Sequence, residues 1–167
     1  MGNLLFSPSG RIGPSQYMRG MIIVAVISAV LALLPLVSPA LGLLGSLVGF
    51  VFLYVFFALG IKRSHDAGKS GWMSITHFLL YLLVSTIVTF VIFSLFGLSL
   101  GDLFGSMMSG AADPAAIEEF TAASTVPGAI ATLISYPLNA FLVNMLNPHD
   151  PTPNQYGNPA AIETTFE

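Results

Sequence analysis

Residues 20–61, GMIIVAVISAVLALLPLVSPALGLLGSLVGFVFLYVFFALGI, run for 42 positions without a Lys, Arg, Asp or Glu. A hydrocarbon core about 30 Å thick needs about 20 helical residues, so this run is long enough to cross a bilayer twice. Pro35 and Pro39 fall near its middle, where a chain that turns back needs a break. The reading predicts one helix over 15–34, entered after Pro14 in a favoured first-turn position, and a second over 40–61.

Working outward, 70–101 adds 32 and 120–149 adds 30 residues free of charge. A third crossing is expected over 72–98. A fourth is expected over 127–146, kinked by the internal Pro137. An outer loop over 101–125 and a tail over 147–167 complete a single integral membrane domain spanning 1–167. The fold class is therefore all-α: a polytopic transmembrane four-helix bundle. The turn-rich lead before residue 20 reads as retained rather than as a cleaved signal.

Composition excludes the soluble classes. Hydrophobic residues make up 54% of the chain and charged residues 8%, against about 25% charged in soluble domains. With no cysteine, disulfides, thiolate nucleophiles and thiolate-ligated clusters drop out. A net charge of −3 argues against a nucleic-acid binder, which needs a basic face.

Charge also orients the chain. Arg11 and Arg19 precede the first crossing, and Lys62, Arg63 and Lys69 separate the second from the third. Asp102, Asp113, Glu118 and Glu119 occupy the long loop between the third and fourth. Because basic loops stay cytoplasmic, both termini are expected inside and the acidic loop outside. In that loop, Pro114 through Phe120 reads as a short helix capping the bundle end.

Within the crossings, Gly42, Gly45 and Gly49 lie near one stripe, an arrangement that lets helix backbones approach closely. His77, Ser135, Asn139 and Asn144 are the polar groups expected to face the interior and find partners there. No acidic or basic residue lies deep in a predicted span, which counts against a transport pathway.

The segment from Lys62 to Trp72, KRSHDAGKSGW, is the most informative polar stretch. Gly68-Lys69-Ser70 imitates the end of a phosphate-binding loop. The position five before Gly68 is Arg63 instead of glycine, and a membrane helix precedes it instead of a strand, so nucleotide binding is rejected. Asp66 is placed to pair with Arg63 or with Lys69, with Arg11 as a further brace. His65-Asp66 has an echo in His149-Asp150, a donor set for a divalent ion only if neighbours could both reach one metal; no metal site is expected. No triad, paired-carboxylate or zincin pattern occurs, so the chain is not expected to be an enzyme, nor to carry a cofactor.

This stretch resembles the signature of the domain-of-unknown-function 805 family. His65, Asp66 and Gly68 through Trp72 match in order, Ser64 replaces a usual Leu, and Met73 stands where a second Trp often sits. Phe6-Ser7, Gly10-Arg11-Ile12 and Tyr17 resemble the family's opening motif, and Pro153-Asn154-Gln155-Tyr156-Gly157 with Pro159 its closing one. The resemblance implies a small bacterial inner-membrane protein and supplies no reaction, substrate or cofactor.

The functional expectation is a non-catalytic scaffold or a protein that contacts anionic lipid. Arg11, Lys62, Arg63, Lys69 and Trp72 are the candidate lipid or phosphate contacts. His65, Asp66 and Tyr156 are the candidate structural polar network, with Tyr156 folding back from a tail whose last residues, Ile162 to Glu167, are expected to fray. Expected partners are membrane lipids and either further copies of the chain or another membrane protein. The rival is a small transporter or channel subunit, which a continuous polar cavity linking His77 with Asn139 would favour.

Overall fold

A computed structural model describes residues 2–110 and 113–160; the expected fraying of 162–167 falls outside the described residues. Regular structure is helical: α1 (Gly2–Phe6), α2 (Pro14–Leu33) with a 3-10 turn at Leu34–Leu36, α3 (Pro39–Asp66), α4 (Met73–Leu95), α5 (Leu100–Met108) and α6 (Pro114–Leu146). Four of these, α2 with its 3-10 turn, α3, α4 and α6, are long and apolar enough to cross a membrane.

Local chemistry sets the ends. Ser38 caps α3 by accepting from the Leu41 amide at 3.2 Å, and Pro39 takes the first helical position. Past the end of α3, Gly68 adopts φ +67°, its amide donates to His65 and the Lys69 amide donates to Ser64 at 2.9 Å. This pair of bonds closes the helix with a left-handed residue, which glycine adopts without steric cost. Gly97 (φ +73°) ends α4 in the same way, with Gly97 donating to Ser94 and Leu98 to Phe93. The third crossing accordingly stops at Leu95 rather than 98.

The fourth helix corrects the sequence reading. It begins at Pro114, where a short helix was expected, rather than near 127, and runs unbroken through Pro127 and Pro137. The Asp113 carboxylate accepts from the Ala115 amide at 3.0 Å, and Pro114 sits at the first position, so the helix nucleates thirteen residues early. The expected loop over 101–125 is thus mostly helical, with α5 capped by Ser99 and the first turns of α6 joining it. At 33 residues α6 is about 50 Å long and exceeds a bilayer core.

α6 packs against both α2 and α4, α2 packs on α3, and α3 meets α4. The core joins Tyr17, Met21 and Val24 of α2 with Val55, Phe56 and Leu59 of α3 and Ala140 and Val143 of α6. Large apolar side chains such as Phe50 and Leu95 point outward, as helices surrounded by lipid require. Gly42 and Gly45 lie against the end of α2: a Cβ on Gly45 would sit 3.0 Å from the Leu31 carbonyl oxygen, and one on Gly42 would sit 2.8 Å from the Pro35 ring. Gly49 has open space instead.

Candidate functional site

The helix ends near Asp66 and Leu146 are tied by a buried polar knot. Its centre is the Asp66 carboxylate, fully buried. Oδ2 accepts from Arg63 at 2.9 Å and from His149 Nδ1 at 2.8 Å, and Oδ1 accepts from Arg11 at 3.4 Å. Of the alternatives the sequence left open, Arg63 and Arg11 are the partners. Lys69 turns away to the end of α6, where its ammonium donates to Asn147 Oδ1 at 2.9 Å.

All three Arg63 nitrogens are used. Beyond Asp66 they donate to Asn144 Oδ1 at 2.7 Å and to the Asn147 carbonyl. Asn144 passes the connection on, donating to the Pro14 carbonyl at the start of α2. Arg11 donates to the carbonyls of Thr152 at 2.8 Å and Gly157 at 3.1 Å, and to those of Asp66 and Asp150. Lys62 donates to the carbonyls of Asn3 and Leu4.

Two guanidiniums on one buried carboxylate leave positive charge over. Much of it faces carbonyls at the C-terminal ends of α3 and α6, where the helix dipoles are negative. Removing a charge from water costs several kcal/mol unless it is paired and hydrogen-bonded. That condition explains why so many carbonyls converge on so few cations.

The tail is part of the knot. His65 donates from Nδ1 to the Gly10 carbonyl, and its ring stacks on Tyr156 with centroids 3.8 Å apart and planes 7° apart. Asn154 donates to the His65 carbonyl at 3.1 Å, and the Asp150 amide to the Asp66 carbonyl. Thr152 donates twice to the Asp150 carboxylate, from its hydroxyl and its amide, which holds that carboxyl below its usual range.

The structure therefore brings Arg11, Arg63, His65, Asp66 and Tyr156 together, with Lys62 beside them anchoring α1. Trp72 makes none of the knot's bonds and is 78% exposed, lining one cavity with His65 and Tyr156. Sequence reasoning overlooked Asn147 and Thr152, which read as ordinary turn residues, and knew Asn154 only as part of the closing motif. The available signal was the paired His-Asp motif, whose second copy reaches the first. Among the described residues no group of three metal-ligating side chains occurs.

One further feature lies deeper. The Tyr17 hydroxyl, His77 Nδ1 and both polar atoms of the Asn139 amide are buried without partners. The Tyr17 and His77 rings lie 6.5 Å apart, and His77 Nε2 accepts from Asn147 at 3.1 Å.

Four membrane-length helices joined at one end by buried ion pairs define a multi-pass membrane protein. The chain belongs to the family described as protein of unknown function (DUF805), whose profile matches residues 5–158. No curated protein and no solved structure matches it.

Proposed function

We propose that the protein is a non-catalytic scaffold of the bacterial inner membrane, with both termini and the polar knot on the cytoplasmic side. The observation that carries this reading is the use made of positive charge. Arg11, Lys62 and Arg63 are committed to the chain's own carbonyls and to Asp66, which builds a rigid surface from lead, loop and tail. Four of the five basic residues of the sequence lie in the lead before α2, in the last turns of α3 or in its connection to α4, which supports a cytoplasmic position for that end. Ionic groups gathered at the helix ends, rather than at mid-depth, favour scaffolding over transport.

The test is native mass spectrometry of the protein released directly from its own membrane, beside an Asp66→Asn variant. A scaffold keeps companion subunits in the parent and sheds them when the knot is broken. Bare monomers from both would overturn the reading. Flux through reconstituted vesicles that Asn139→Leu abolishes would move the assignment to the transporter class.

A further inference from the structure

We infer that the groove between α4 and α6, at the knot end, binds one anionic glycerophospholipid, with its phosphate on Lys69 and one acyl chain along Leu80 and Leu83. The groove has a volume of about 370 Å³ and is walled by Lys69, Met73, Thr76, Leu80, Leu83 and Leu146, among others. A cation stands at its mouth and leucines line its length, the polarity of a lipid lying with its headgroup at the interface.

Three observations choose this occupant. First, α4 keeps only 11% of its most apolar stretch inside the protein, against 39% for α6, and Leu79 and Leu83 beside the groove are each 59% exposed, an apolar surface open to lipid. Second, Leu83 lies ten residues beyond Met73, about 15 Å of helix, which equals one leaflet of a hydrocarbon core about 30 Å thick. Third, Lys69 has donors to spare. Its ammonium carries three N–H groups, of which one holds Asn147 and another makes a long 3.4 Å contact to the Leu146 carbonyl. Lys62 and Arg63 offer no comparable group, being buried on protein partners. Lys69 meets the knot only through Asn147 and does not touch Asp66, so Leu80→Trp tests the site apart from the scaffold reading.

The experiment places the full chain in nanodiscs of equal phosphatidylglycerol and phosphatidylcholine and ejects it for native mass spectrometry. The wild type retains one phosphatidylglycerol in preference to phosphatidylcholine. Lys69→Gln lowers that preference about fivefold, the factor expected for one basic residue at an anionic surface. Leu80→Trp fills the groove, leaves every knot residue in place and loses the bound lipid. Added inorganic phosphate leaves retention unchanged. Equal retention of the two lipids by the wild type, or retention unaltered in both variants, overturns the site. Displacement by inorganic phosphate also overturns it, assigning Lys69 to a soluble anion.

Discussion

His149 and Asp66, 83 positions apart in sequence, meet at 2.8 Å through Nδ1 and Oδ2. The segment that follows the last membrane helix is thereby fixed to the end of the second. Asp66 is also where Arg11 and Arg63 converge, so one carboxylate joins lead, helix and tail.

Asp66→Asn removes the charge and leaves two buried guanidiniums facing a neutral amide. Breaking a buried pair by deleting one partner costs about 3–5 kcal/mol. The variant is expected to lose about 3 kcal/mol or more, read as a lowered thermal midpoint in detergent.

Tyr156→Ala removes the ring stacked on His65 while leaving the tail's backbone bonds possible. An aromatic pair contributes about 1 kcal/mol beyond its buried area. Limited proteolysis should cut the tail severalfold faster in this variant, and Tyr156→Phe should behave as wild type.

Acid should loosen the tail through Asp150. Hydrogen bonds from Thr152 hold its folded-state pKa below the ordinary 3.8. A group depressed in this sense contributes stability that is full above its unfolded value and is lost as pH falls through its folded one. Tail proteolysis is therefore expected to stay flat from neutral pH down towards 4 as far as Asp150 is concerned. Below that it rises, and Asp150→Asn raises cleavage at neutral pH.

Two glycines of one stripe should respond in opposite senses. Gly45→Val drives a branched side chain at the Leu31 carbonyl, 3.0 Å from where its Cβ would stand, and should destabilise by about 2 kcal/mol. Gly49→Ala meets nothing within 4 Å and should be neutral or stabilising by up to about 1 kcal/mol. Thermal unfolding of both variants provides the comparison.

The crossings were legible because a charge-free run has few fates, and 20–61 has a proline pair where it must turn. The continuity of α6 was not, since Pro114 to Phe120 read as a separate short helix. Its first turns are rich in Ala, Thr and Glu and look dilute by hydropathy, although Asp113-Pro114 carried the capping signal. In the site, Arg63 and Asp66 were visible as a local pair three residues apart. Their other partners, Asn144, Asn147 and His149, reach them only through tertiary packing, which spacing along the chain does not encode. The lipid-contact set was read from charge and one interfacial indole, and charge does not reveal that Arg11 and Arg63 are buried against carbonyls.

Hydrogen exchange across residues 148–159, in wild type and in Asp66→Asn, tests the knot most directly. The account predicts protected amides at Asp150, Asn154 and Gly157 in the wild type, where each is hydrogen-bonded, and rapid exchange in the variant. Rapid exchange in the wild type, or equal protection in both proteins, would contradict it.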